Sequence, residues 1–289
     1  MKLFPYLLLG GLLAAVLAPA GEKPAAPSKS TYHLFNPTPR EAMRELSTDR
    51  PDQTESPFTV DAGHVQVEMD LATFTYDRYN SLRADVRAEA WSFGTVNFKV
   101  GLLNNVDFQV LAQPFNTVRF SDRATGTSTR LDGFGDVTLR TKINLWGNDG
   151  GTTALALMPF VKLPTASEDL GNDAVEGGLI IPLGIDLGGG WRMGVMTEVD
   201  VLEDFVGSDH HVEWVNSITF SRGLTERLGA YVEFFSVVSA ERHVPWTGTL
   251  DVGVTYAVTD DIQLDCGVNF GLTRAADDVN PFVGLSWRF

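Results

Sequence analysis

The 289-residue chain has a single cysteine, Cys266, so no disulfide can form within it and its redox compartment cannot be read from pairing. Basic residues are scarce: 22 Lys and Arg stand against 37 Asp and Glu, a net charge of -15. That balance excludes nucleic acid as a partner, because phosphates demand a basic surface, and it excludes electrostatic attachment to anionic lipid. Long apolar runs are also missing. After the first twenty residues nothing approaches the ~18 to 20 consecutive apolar residues of a spanning helix. Nor is there a nucleophile elbow, a zinc-ligand spacing or a phosphate loop. No catalytic residue, cofactor or metal ligand is therefore expected, and the chain does not read as an enzyme.

What is present begins with an address. MKLFPYLLLGGLLAAVLAPA carries one Lys, an apolar run from Leu3 to about Leu17, and Ala18-Pro19-Ala20. This is the pattern of a cleaved secretory signal over residues 1–20. Residues 21–62 form an N-terminal extension. It starts as a Pro-, Ala- and Ser-rich linker, passes through PTPREAMREL with room for one or two helical turns, and reaches STDRPDQTESP. The last stretch is too charged and too rich in proline to build a core.

From Gly63 onward the chain alternates. Val65, Val67, Met69 and Leu71 oppose Gln66, Glu68 and Asp70; Val96, Phe98, Val100 and Leu102 share one parity with Lys99 on the other. Val137, Leu139, Ile143 and Leu145 oppose Arg140, Lys142 and Asn144, and Leu264, Cys266 and Val268 oppose Asp265. A period of two over about ten residues is the length and pattern of a tilted membrane-spanning β-strand. A soluble sandwich gives the same alternation, so the connectors decide. Short ones (Asn104-Asn105, GNDGG at 147–151, Gly188–Gly190, 221–225, 259–261) alternate with longer ones (114–134, 164–175, 203–210, 240–246, 271–280). Tight turns at one end and long loops at the other define an up-and-down barrel. The expectation is an all-β, transmembrane, antiparallel barrel of about twelve strands over 63–289, with both termini in the periplasm. Pro159 and Pro182 fall within the fifth and sixth strands, where bulges are expected.

Aromatic residues mark the strand ends: Trp146, Trp191, Trp214, Trp246, Trp287 and Phe289, where an interfacial girdle needs them. The chain ends on VNPFVGLSWRF, an alternating strand that closes against the first. Trp287 and Phe289 therefore form an assembly signal for the barrel-assembly machinery. The expected surroundings are outer-membrane lipid and lipopolysaccharide.

TDRPDQTESPFTVDAGHVQVE (Thr48–Glu68) and GFGDVTLRTKINLW (Gly133–Trp146) resemble the phenol-degradation (MetA-pathway) transporter family of bacterial outer-membrane β-barrels. The resemblance covers the chain from about residue 47 to its end. It implies an outer-membrane channel associated with the catabolism of aromatic compounds, and it brings no catalytic motif. A phenol substrate does not follow from these residues.

The inward set predicted to line the lumen mixes signs: Glu68, Asp70, Glu89, Glu198, Asp200, Glu233, Asp251 and Asp265 with Arg87, Lys99, Arg140, Lys142 and Arg192. Such a lining suits passive or facilitated passage of a small-molecule solute, aromatic or hydrophobic compounds among them. A closed structural or adhesive barrel is the alternative. Asp49, Arg50, Asp52 and Glu55 are candidates for a plug that pairs with the lining, the competing reading being a loose periplasmic tail. Two residue pairs resemble barrel-enzyme arrangements: Asp209 with His211, an omptin-like pair, and Ser239 with His243. Solvated loop residues are the preferred reading of both. The acidic outer loops (Glu168, Asp169, Asp173; Glu203, Asp204, Asp209) are read as solvated rather than as bridges to lipopolysaccharide.

Overall fold

The computed structural model describes residues 29–79, 86–204 and 209–289. The expected signal sequence and the first part of the linker lie outside the described residues. Fifteen strands follow in chain order: β1 (Val65–Asp77), β2 (Arg87–Phe93), β3 (Thr95–Leu103), β4 (Val106–Ala112), β5 (Phe115–Ser121), β6 (Ser128–Gly133), β7 (Val137–Trp146) and β8 (Thr153–Leu163), then β9 (Glu176–Gly188), β10 (Trp191–Glu203), β11 (His210–Gly223), β12 (Leu228–Ser239), β13 (Thr247–Thr259), β14 (Ile262–Gly271) and β15 (Val279–Arg288).

Twelve of these close a barrel. β1, β3, β4, β7 and β8 to β15 pair antiparallel in that order, and β15 returns to β1 through Gln66 opposite Arg288 and Tyr76 opposite Val279. The other three continue existing strands toward the outer side. β2 runs into β3 at Gly94, β4 into β5 at Gln113-Pro114, and β6 into β7 across residues 134–136. The continuations pair in the order β1–β2–β5–β6. The twelve-strand expectation therefore holds, with three neighbouring strands broken side by side.

One connector needs correction. Residues 114–134, expected as a long outer loop, are mostly strand: β5 and β6 form a hairpin closed by 122–127, where the Asp122 carboxylate accepts from the backbone N–H of Ala124 at 2.7 Å. Pro114 and the charges Arg119, Asp122, Arg123 and Arg130 hid it, because they interrupt the apolar alternation of a lipid-facing strand.

The expected bulges at the prolines are absent. Between β8 and β9 the register runs unshifted from Leu155 opposite Leu183 to Met158 opposite Ile180, and Met196 sits directly opposite Pro182. Pairing lapses only on one side of each proline, so each costs a local ladder bond without displacing the strand.

The outer wall is apolar. Leu71, Phe98, Leu145, Val199, Val252, Val254, Leu264 and Phe270 are exposed on it, as is Cys266. Trp146, Trp191 and Trp287 with Phe289 lie at the end carrying the short turns, and Trp214 and Trp246 lie at the other. Near the outer end Trp91 stacks on Phe93 with ring centroids 5.6 Å apart and touches Phe74 at 4.7 Å. These rings form the interfacial girdles expected of a lipid-embedded barrel. Among the described residues no helix is long and apolar enough to cross a membrane. Before the barrel, PTPREAMREL makes a single 3-10 turn over Arg40–Ala42.

Candidate functional site

The interior of the barrel is occupied by the chain's own N-terminal segment. Residues 29–46 lie under the mouth that carries the short turns, tied to those turns. Leu34 donates its N–H to the Leu102 carbonyl, Lys29 meets Asp149 at 3.0 Å, and Arg40 pairs with Asp261. Residues 47–62 then rise into the lumen and return. On the way back the Thr59 N–H donates to Asn148, the Val60 N–H to Asp107, and Asp61 faces Arg44 and Arg288.

The ascending arm is held by two charge clusters. In the first, Asp49 pairs with Lys99 of β3 and Lys142 of β7, while Lys99 also pairs with Glu68 of β1. Glu68 accepts from the backbone N–H groups of Asp49 and Arg50 at 3.0 and 3.2 Å. Both lysines are fully buried. In the second, the Arg50 guanidinium bridges Asp70 of β1 and Asp265 of β14, with Nη2 2.7 Å from Asp265. Its planar fork satisfies two carboxylates at once, and its face lies 5.5 Å from the Phe282 ring.

At the tip, the N–H groups of Gln53 and Thr54 both donate to Glu233 of β12 at 2.8 Å, and Gln53 donates its side-chain amide to Asp251 of β13 at 2.7 Å. Glu55 pairs with Arg140 of β7. Burial pushes the Asp52 carboxyl up to about 7, reinforced by the charges of Asp49 and Glu55. Burial and the Asp49 charge likewise raise Glu55 to about 7 despite Arg140. Asp49 goes the other way: burial opposes its charge, yet Lys142 and Lys99 hold it well below the usual carboxylate range.

The close approach of the segment requires missing side chains on the wall. A Cβ at Gly284 of β15 would stand 2.1 Å from the Arg50 guanidinium, and one at Gly101 of β3 would stand 2.1 Å from the Asp61 carbonyl oxygen. Glycine at these inward positions leaves the volume that the segment fills. Small cavities lie beside the segment, among them two of about 220 and 150 Å³ that both have Arg50 and Asp70 in their lining.

Of the predicted lining residues, Glu68, Asp70, Lys99, Arg140, Lys142, Glu233, Asp251 and Asp265 meet the segment directly. Glu198 and Asp200 share the inward parity of β10, above the tip. Arg192 is exposed at the short-turn end of the same strand. Arg87 and Glu89 must be reassigned. Glu89 stands opposite Tyr76 on the face that carries the Phe74–Trp91 contact, so both charges lie on the outside of the barrel, where they pair at 3.3 Å. The cause is Gly94, at φ +69: inward residues are even-numbered before it (Ala88, Ser92) and odd-numbered after it (Asn97, Lys99). A parity count carried through a glycine break inverts the face.

An apolar patch inside the lumen was not anticipated. Met158, Ile180, Met196 and Val215, on the inward faces of β8 to β11, pack together with Phe160, Phe235 and Val237. The Glu55 backbone N–H points at the Met196 sulfur, 3.4 Å away, so the patch adjoins the tip of the segment. Its signal lay in ALALMPF (154–160) and LIIPLGI (179–185), which are apolar on both parities. The weighed enzyme pairs do not assemble. His211 bonds Asp204 rather than Asp209, and among the described residues Ser239 and His243 share no hydrogen bond.

The crystal structure of a COG4313 outer membrane channel from Pseudomonas putida F1 superposes with a TM-score of 0.63 at 14% identity, covering 84% of this chain and 100% of that one. The NanC porin follows (TM-score 0.49, 10% identity, 77% and 98% covered), as does the translocator domain of the autotransporter NalP from Neisseria meningitidis (0.49, 10%, 78% and 88%). No curated protein sequence matches the chain. The family model described as "Putative MetA-pathway of phenol degradation" matches residues 48–289, from the charged segment inside the lumen to the last residue, and the chain belongs to that family.

Proposed function

We propose that this barrel is an outer-membrane channel for small apolar or aromatic molecules, with residues 47–62 as its gate. The observation that carries the reading is the juxtaposition at the tip. A lumen-facing apolar patch (Met158, Ile180, Met196, Val215, Phe235) adjoins a segment fastened to the wall by ion pairs and hydrogen bonds rather than by an apolar core. An apolar solute gains by leaving water for that patch, and polar fastenings exchange readily with water when the segment withdraws. The family's description makes aromatic compounds the first solutes to try. The apolar outer wall and its girdles support residence among outer-membrane lipid and lipopolysaccharide. The terminal Trp287 and Phe289 support delivery by the barrel-assembly machinery.

Planar-bilayer conductance tests this, comparing the full chain with one that begins at residue 58, each with and without a small aromatic acid. The gate reading expects larger or more frequent steps in the shortened chain, and current block by the aromatic acid but not by an aliphatic sugar acid. If neither form passes ions, the closed structural barrel replaces the channel. Its support is the full burial of Lys99, Lys142 and Glu68.

A further inference from the structure

At the outer mouth, on the side away from the gate, two connectors and one strand bring four ionisable side chains together. Asp204 follows β10, His211 and Glu213 stand on the inward parity of β11, and Glu241 follows β12. The His211 side chain is 8% exposed. Its Nδ1 lies 2.8 Å from Asp204 Oδ1 and 3.9 Å from Glu241 Oε2, and its Nε2 lies 3.5 Å from Glu213 Oε1. Asp204, His211 and Glu241 each offer one ligand atom within 4.8 Å of the others. Two atoms here are buried without a hydrogen-bond partner: His211 Nε2 and Glu241 Oε2. Among the described residues no lysine or arginine forms an ion pair with Asp204, Glu213 or Glu241. Three partly exposed carboxylates thus surround one buried imidazole, and a positive charge, carried by a proton on the ring or by a metal ion, completes the cluster.

We infer that Asp204, His211 and Glu241 bind a divalent first-row transition ion at the channel's outer entrance, zinc being the natural probe. Ligand atoms around a tetrahedral ion with bonds of ~2.1 Å stand ~3.4 Å apart. The 2.8 and 3.9 Å separations bracket that value, so small side-chain shifts complete the site. Coordination through Nδ1 places the ring proton on Nε2, facing Glu213. That is the carboxylate–histidine–metal arrangement, in which the outer carboxylate fixes the tautomer and orients the ring. The imidazole selects the class of ion, because calcium and magnesium prefer all-oxygen shells. Three protein ligands leave positions open to water or to an anionic solute. The ion would also tie the connector after β10 to the one after β12 across the mouth.

Equilibrium dialysis of the untagged, folded full chain in detergent against zinc tests the site, with cobalt as a spectroscopic probe. The expected result is one zinc per chain at micromolar concentration, undisturbed by millimolar calcium or magnesium, and a tetrahedral cobalt absorption band. H211A should abolish binding, E241Q should weaken it, and E213Q should weaken it by about tenfold, as loss of an outer carboxylate does. Folding is checked by the migration difference between unboiled and boiled samples; if H211A does not fold, E241Q decides. No stoichiometric zinc on the intact chain overturns the inference. So does binding that survives H211A, or binding undiminished in E241Q where H211A does not fold, or zinc that calcium displaces.

Discussion

Replacing Arg50 by methionine keeps an unbranched side chain of most of the volume but shortens it and removes the charge that Asp70 and Asp265 share. In the docked state both carboxylates are then left without a cation. Asp265 is fully buried at its side chain, whereas Asp70 keeps 24% of its own exposed. Stripping one partner from a buried pair costs about 3 to 5 kcal/mol. The partial exposure of Asp70 argues for the lower end, so we take about 3 kcal/mol. Withdrawal of the segment relieves the penalty, since water and counter-ions then reach both carboxylates. At about 1.4 kcal/mol per tenfold, R50M should shift the docking equilibrium toward the open state by about a hundredfold. Single-channel recording at constant pH and salt reads this as a rise in open probability. Removing a second charge, as R50M with D265N, should recover part of the docked population. Wild-type gating in R50M, with heat-modifiable folding intact, would refute the reasoning, because the bidentate pair would then contribute nothing to closure.

Three further outcomes follow from the same contacts. Asp52 and Glu55, both raised to about 7 in the docked segment, favour docking fully below pH ~4 and lose that contribution as pH rises through about 7. Conductance steps should therefore be more frequent at pH 8 than at pH 5, and D52N should flatten the dependence; more opening at pH 5 would count against it. The lowered Asp49 acts only in stronger acid, outside that window. G284L puts a side chain where the Arg50 guanidinium lies, so it should open the channel as R50M does while leaving barrel yield unchanged; a docked segment in that variant, seen as unaltered conductance, would contradict the steric argument. Deleting Phe289 removes the N–H donated to the Val65 carbonyl and the ring packed 4.1 Å from Trp287, at the seam where β15 meets β1. The yield of heat-modifiable barrel should fall with export unchanged, and equal yield would show that the seam does not need its last residue.

Some of this was legible because membrane and sheet impose the same period. Leu264, Cys266 and Val268 against Asp265 announce a lipid-facing wall without any knowledge of partners, and the count of twelve follows from repeating that pattern between turns. The pattern fails where one backbone unit breaks it. Gly94 reverses the facing of everything before it in its strand, so Arg87 and Glu89, inward by an unbroken parity count, lie outside. Nothing in the identity of the flanking residues reports a φ of +69; a glycine in a strand signals only that a break is permitted. The hairpin β5–β6 was lost for a related reason, since strands that project beyond the lipid carry Arg119 and Arg130 outward and no longer alternate apolar with polar.

The interior poses a harder problem. The charges of 47–57 declare that the segment needs either water or partners, and the inward charges of the strands declare the same. Which charge meets which depends on contacts between residues far apart in the chain: Arg50 meets Asp265, Thr54 meets Ser217 and Glu55 meets Arg140. Such contacts are set by how twelve strands close in space, and no local pattern encodes them. Two sequence features nevertheless constrain the answer. A strand apolar on both parities, as in ALALMPF, has to bury its second face against something, and inside a barrel that something is either a ligand or another part of the chain. An inward glycine such as Gly284, on a strand whose neighbours present Asp70 and Asp265, leaves a gap beside two carboxylates that a long cation can fill. Read together, they say that this lumen is shaped for an occupant with an arginine at one level and an apolar neighbour at the next. The N-terminal segment supplies the arginine, and the patch around Met196 is left with room for a solute only when that segment moves.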